Sequence, residues 1–537
     1  MPVMGTASRT GGVPTFTVEA PGPRRAVLAF RVGRADEGLP MAGITHLVEH
    51  LALLPFQEQP YQYGGAVEGA RTIFWVQGSD AEIAEFFRKL SENLAGLPLD
   101  RLADQARLLE TEARSRKTSA LQSLLSIRYG TSGWGTTAFP EYGLMRPDPE
   151  YMREWGERWF TAGNAALGLS GAVDGLTLQL RSGSRMPSPE LTPVASLHTP
   201  AWMHERQAGV GIGFVGPRSI QFAGLMRSLA RHGRARLRFS ESLSYEVAEN
   251  TMRLSDRVAH GILWADGLQE NMSKVWTGLL AVIDQVRAEG PTETELREDV
   301  AMLRKTVEHP SWPLVVMDRL ITDELFGVPT ETTDDLIATL ERSTPADYQA
   351  LVDEVFPTAL ALVPDGVAIL DARFTPVPIW SQHAAQGREY RLQAPRTAVQ
   401  GQMTRLAVGD SAISLTFGVG QVVNVAFAEC QVALAWDDGS RTLISRDSFR
   451  LHIRPADWTG GAEILKALDA RLPKNRVVPM GPRPNPDPES LSGAMAPAAR
   501  PTRRRWTFNW RRAVIAGTML IAFYVLAAIL RVALGGH

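Results

Sequence analysis

A chain of 537 residues exceeds one domain, and with 44% hydrophobic and 21% charged residues it has the apolar content for two to four separate cores. A net charge of −2 leaves no electrostatic case for nucleic acid as a partner. The single cysteine, Cys430, excludes an internal disulfide and suits a reducing compartment.

Residues 1–15 are rich in Gly, Ser and Thr and lack the apolar core of a signal peptide. Residues 15–18 and 25–32 alternate or run apolar and are predicted strands. A helix is predicted over 43–53, and it carries His46, Glu49 and His50 in the order H-x-x-E-H. A four-residue spacing projects both imidazoles from one face of a helix, where they can hold one zinc ion. Glu49 then stands beside them, close enough to take a proton from a water that the metal activates. Residues 72–76, Thr-Ile-Phe-Trp-Val, predict a further strand. Over 80–94 helical spacing puts Ile83, Phe86, Phe87, Leu90 and Leu94 on one side, and Asp100 is a candidate N-cap for a helix over 101–117.

After a helix end, a Gly/Asn turn and an apolar strand over 159–174, the first domain is expected to span 14–185. Ser, Pro and Thr over 182–200 predict a linker. The second α/β unit, 205–372, opens with a strand at 209–215 and a helix at 220–231, followed by the stretch 237–247. Further helices are predicted at 269–288, 292–307, 313–326 and 347–355, before a strand at 359–363. From residue 401 short strands alternate with turns, closed by a helix over 461–472, which defines a β-module at 400–473. Pro-, Ala- and Ser-rich sequence over 474–505 predicts a flexible linker. Residues 513–530 carry no charge, and 513–534 are just long enough to cross a bilayer. Arg503, Arg504, Arg505, Arg511 and Arg512, with Trp506 and Trp510, precede that span, so the bulk of the chain is expected on the cytoplasmic side of the cell membrane.

Residues 30–43, a strand, a Gly/acidic turn and a short Gly-ended loop, run straight into the H-x-x-E-H helix. Together with 105–112 (Gln-Ala-Arg-Leu-Leu-Glu-Thr-Glu), 159–174 and 237–247, this opening resembles the insulinase/pitrilysin (M16) zinc metallopeptidases. The resemblance covers roughly residues 14–372. It implies an α+β fold of two sheet-plus-helix domains that form half of a clam-shell, and endopeptidase chemistry with Zn²⁺. In the register of 105–112, Glu112 matches the family's third zinc ligand, with Glu110 as the alternative. Gln105 stands where the family carries an acid, and the interval from His50 to Glu112 is shorter than the family's. Arg238 and Tyr245, seven apart, resemble the second-domain pair that faces the zinc site. The Arg would position the peptide and the Tyr would donate to the oxyanion.

That pair usually comes from the opposite half, so the resemblance implies a homodimer, or an M16-like partner, with composite sites and a peptide substrate. A substrate strand is expected on a sheet edge near 72–76. The β-module with its closing helix resembles a pleckstrin-homology-like barrel, without a dense Lys/Arg cluster for phosphoinositides. Some M16 relatives lack the zinc residues, and the alternative is therefore a catalytically inactive peptide-binding or scaffold protein tethered to the membrane.

Overall fold

Alternating and fully apolar runs in the first 170 residues pair into a six-stranded sheet. In chain order these are β1 (Thr6–Thr10), β2 (Val13–Thr17), β3 (Arg25–Phe30), β4 (Gln62–Val67), β5 (Thr72–Gln77) and β6 (Ala165–Leu169), arranged β1-β2-β6-β3-β5-β4. The computed structural model describes residues 5–482, apart from 57, 114–117, 207, 394–403 and 419. One face of the sheet carries Leu28, Phe30, Phe74 and Val76 against the helices α1 (Ile44–Leu53), α2 (Asp80–Ala95), α3 (Leu102–Ala113) and α5 (Pro149–Trp159). Ser79 and Glu82 form a capping box that sets where α2 begins, and the Ile83, Phe86, Phe87 and Leu90 face is buried as its spacing predicted.

The second sheet repeats this plan. Its strands are β7 (Ala201–His204), β8 (Gly209–Pro217), β9 (Val247–Arg253), β10 (Val258–Asp266), β11 (Leu360–Val363) and β12 (Thr375–Pro376), in the order β12-β7-β11-β8-β10-β9. Five strands correspond one to one between the sheets. The one parallel contact among them, β2 with β6, is matched by β7 with β11, and the remaining neighbours are antiparallel in both. In the first unit α1 lies between β3 and β4; in the second, α6 (Ile220–Gly233) lies between β8 and β9 and carries no H-x-x-E-H. Helices α6, α7 (Met272–Glu289) and α11 (Pro345–Val355) bury one face of the second sheet, with α8 (Glu293–Val307) and α10 (Thr333–Arg342) outside them. β12 pairs with β7, so the sheet runs past the expected end at residue 372.

The two units exchange helices. α4 (Ala120–Tyr129), from the first, sets Leu124 against Ile262, Leu360 and Leu362 of the second sheet. α9 (Trp312–Phe326), from the second, lays Val316, Met317 and Ile321 on Ala29, Ile73 and Ala166 of the first. Each sheet is thus covered on both faces only because the other unit contributes a helix.

Among the described residues the C-terminal strands form two four-stranded sheets, and hydrogen bonding between these does not close the expected barrel. These are β13 (Arg388–Arg391), β14 (Arg405–Val408), β15 (Ala412–Phe417) and β16 (Gln421–Ala426) in sequential order, and β19-β18-β17-β20. The latter comprise β17 (Cys430–Trp436), β18 (Arg441–Ser445), β19 (Arg450–Ile453) and β20 (Val477–Gly481). β20 departs from the expected linker: it pairs in parallel with β17, so 474–481 belong to the folded body. Trp458 and α12 (Gly461–Arg471), through Ile464 and Leu468, fill the space between the sheets. The opposite face of the second sheet sets Val432, Leu434, Ile444 and Val478 against Leu39, Phe139 and Tyr142 of the first unit. Each such buried side chain contributes about 1.5–3 kcal/mol, so the module is a fixed part of the body. Among the described residues no helix is long and apolar enough to cross a membrane. The expected span at 513–534 and its basic flank lie outside the described residues.

Candidate metal centre

The helix that bears the histidines starts at Gly43, whose φ of 96° is left-handed. A Cβ there would also stand 2.7 Å from the Cβ of Glu141, so glycine meets two demands at once. No N-cap side chain serves α1. Instead the carboxylate of Glu37 accepts from the N–H of Gly43 at 2.8 Å and of Thr45 at 2.7 Å. Trp155 donates through Nε1 to Thr45 Oγ1, tying the first turn to α5. Complete burial raises the Glu37 carboxyl to about 7 against those two hydrogen bonds and the charge of Arg34.

One turn apart on this helix, the His46 and His50 rings lie 4.9 Å between centroids, nearly perpendicular. Ligand atoms of His46, Glu49 and His50 all lie within 4.8 Å of one another. His46 and Glu49 are buried and His50 is half-buried. Gly65 of β4 backs onto Glu49: a Cβ at that position would fall 2.9 Å from the Glu49 Cγ and Cδ and nearer still to Oε1. The carboxylate is therefore held between the sheet and the His50 ring, whose Nε2 is 3.7 Å from Oε2.

Both imidazoles have an oxygen partner at Nδ1. His46 Nδ1 is 3.4 Å from Glu141 Oε1 and 3.5 Å from Oε2. His50 Nδ1 is 3.3 Å from Gln105 Oε1. A carboxylate only accepts, so it calls for the proton on Nδ1 of His46 and leaves Nε2 with a lone pair for a cation. The Gln105 amide oxygen does the same for His50. Burial lowers the His50 pKa, helped by the charge of His46, while Gln105, Glu112 and Glu141 oppose the shift. A neutral imidazole is the form that binds metal.

These residues line a cleft of about 500 Å³ with Arg34, Ala66, Val67, Glu112 and Glu141. Three carboxylates face one guanidinium, an environment suited to a cation. Two imidazoles with carboxylate oxygens form the donor set of a catalytic zinc site, so the residues present fit that ion.

Glu112, the expected third ligand, lies toward the end of α3, exposed, on the wall of the same cleft but outside the three-residue cluster. Gln105 lies seven residues earlier on the same helical face, which is why one helix serves both positions. Glu110, about 200° around the helix, lines no part of the cleft. Arg238 and Tyr245 do not line it either. The Arg238 guanidinium lies over the rings of Phe239 and Tyr245, at 5.3 and 5.1 Å from their centroids, and both rings are more than 70% exposed. β5, which holds the expected edge at 72–76, is flanked by β3 and β4, and the free edge of the sheet beside the cleft is β4. Sequence reasoning missed Glu141, Arg34, Glu37 and Gly65. An acid at 141 amid Phe139, Tyr142, Leu144 and Met145 is the one local sign that its carboxylate is buried.

No protein-family model matches the chain, and no curated protein matches it. Among solved structures it is similar to a protease from Helicobacter pylori, at 14% identity over 67% of this chain and 99% of that one, TM-score 0.55. It is similar to a peptidase M16 inactive domain from Pseudomonas fluorescens, at 13% over 68% and 99%, TM-score 0.54. A third likeness is to pitrilysin, at 14% over 67% of this chain and 45% of that one, TM-score 0.54. Identities this low establish a shared fold and leave the chemistry to the residues of the site.

Proposed function

We propose that this chain, which has the fold of the M16 peptidases, is a membrane-anchored zinc metallopeptidase that hydrolyses small peptides or unfolded segments. The observation that carries this reading is the convergence of His46, Glu49 and His50, with each imidazole Nδ1 held by a protein oxygen. His46, His50 and Glu112 are the metal ligands. Zinc at such a site supplies Lewis acidity, polarising the scissile carbonyl and making water a nucleophile at neutral pH. Glu49 accepts the proton of the attacking water and returns it to the leaving amine. The peptide is held as an added strand on the outer edge of β4, beside Gly65, Ala66 and Val67.

Arg238 and Tyr245 act on the cleft of a second copy, Arg238 positioning the peptide and Tyr245 donating to the oxyanion. The exposure of Tyr245 and the absence of both residues from the lining of their own chain's cleft support a homodimer with two composite sites. Residues 513–534 anchor the chain in the cell membrane, with the basic stretch at 503–512 keeping the body on the cytoplasmic side. The C-terminal strands and α12 are read as a pleckstrin-homology-like module in which a further strand, β20, follows the helix.

Two variants test the mechanism. Glu49→Gln is expected to keep zinc and lose cleavage of a quenched peptide; cleavage at the parental rate refutes the role of Glu49. Glu49→Gln and Tyr245→Phe chains, each inactive alone, are expected to recover activity when mixed, and no recovery refutes composite sites. Gln105 in place of an acid, and Glu112 outside the three-residue cluster, favour a second reading as an inactive peptide-binding scaffold. A purified chain that contains no zinc and takes up none decides for that reading.

A further inference from the structure

We propose that Glu141 is a positioning residue for His46, held in place by the C-terminal β-module, so that the module forms part of the metal centre's support. The proposal rests on His46 as a metal ligand for its consequence, and on geometry alone for its cause.

Three observations meet at residues 139–145. The Glu141 side chain, 3% exposed, lies against Nδ1 of His46, with Arg34 Nε 4.0 Å from its Oε1. Its backbone is fastened to the start of the histidine helix: Gly143 donates to the Ala42 carbonyl at 2.9 Å, and Gly43 has no Cβ to obstruct Glu141. On its other side, Phe139 and Tyr142 are buried by Val432, Leu434, Ile444 and Val478 of the module. The same module fastens the chain just upstream, where Thr131 donates its N–H to the Arg446 carbonyl at 2.9 Å and its hydroxyl to the Ser445 carbonyl at 3.1 Å.

Glu141 is therefore fixed on one side by the start of the histidine helix and on the other by the module, with its carboxylate presented to the His46 imidazole. A carboxylate behind a ligating histidine fixes the ring's tautomer and orientation, and removing such a partner typically weakens metal binding about 10–100-fold. This ties the remote β-module, which brings no residue to the cleft, to the metal affinity of the site.

The test uses the full chain. Zinc affinity is measured by competition with a chelator, and the His46 tautomer by long-range proton–nitrogen NMR on histidine-labelled, metal-free protein. Expected are a His46 Nδ1–H tautomer in the parent, its loss in Glu141→Ala, and zinc binding about 10–100-fold weaker in that variant. Glu141→Gln, which keeps an acceptor oxygen, is expected to restore the tautomer and most of the affinity. Val478→Lys, on the module's docking face and outside the lining of the cleft, is expected to weaken zinc binding in the same direction and to add little on top of Glu141→Ala. An unchanged tautomer in Glu141→Ala overturns the proposal, whether or not the parent binds zinc. A parent that takes up no zinc but shows the tautomer change overturns the metal reading and leaves the positioning role of Glu141 standing. Parental zinc affinity in Val478→Lys, with the module shown to be undocked by proteolysis, overturns the part assigned to the module.

Discussion

Gly65→Ala isolates one contact. The new Cβ would stand 2.9 Å from both Cγ and Cδ of Glu49, where ordinary contact begins at 3.4 Å. The carboxyl carbon must retreat by at least 0.5 Å, and Oε1, which is nearer to that Cβ, by more. A misplacement of about 1 Å in a catalytic group costs about 10²-fold, so the loss in kcat/KM is expected at roughly 10–100-fold, or about 1.4–2.7 kcal/mol. Successive strand residues face opposite sides of a sheet, so Gly64→Ala is the matched control. Its Cβ meets the Trp75 indole, 3.0 Å from Nε1, and leaves Glu49 alone. The assay compares kcat/KM on a quenched peptide, bound zinc and thermal unfolding for the two variants. Gly65→Ala is expected to keep its zinc and its fold while losing activity, and Gly64→Ala to lose stability more than activity. Equal rates in Gly65→Ala and the parent, or an equal loss in Gly64→Ala, would refute the placement of Glu49 as the base.

Stability should fall as pH rises through the range set by Glu37. Its folded pKa of about 7 exceeds the ordinary 4.5, so its contribution is fully present below 4.5 and lost as pH passes about 7. The difference of about 2.5 units corresponds to roughly 3 kcal/mol, read as a drop in the urea midpoint between pH 5 and pH 8 that Glu37→Gln abolishes. Asp36→Ala strips the buried guanidinium of Arg31 of its carboxylate, leaving the carbonyls of Ala70 and Pro187 and the Trp159 ring, and should cost about 3–5 kcal/mol by chemical denaturation. Glu112→Ala is expected to release zinc to a chelator more readily than the parent, whereas Glu110→Ala should match the parent, because the two acids leave α3 on opposite sides.

The local elements were legible because their signals are periodic. The four-residue spacing of His46 and His50 needs only a helix to bring them together, and the seven-residue spacing of Gln105 and Glu112 likewise puts both on one face of α3. The apolar runs of β3, β5, β8 and β11 fixed strands at the expected places, since each is buried on both faces. Edge strands such as β4 and β9 are half-exposed and carry a weaker pattern, which is why β5 and not β4 was expected at the sheet edge.

What the chain's own residues determined is therefore the metal-capable helix, the α+β class and the apolar faces that must be covered. Only the tertiary structure decided what covers them: α9 on the first sheet, α4 on the second, and β17 with β20 against the segment that carries Glu141. Glu141 meets His46 across 95 residues of sequence. Such a contact has no period and no local composition, because it arises from the shape of two packed surfaces, and it exists only once the whole body has closed around it.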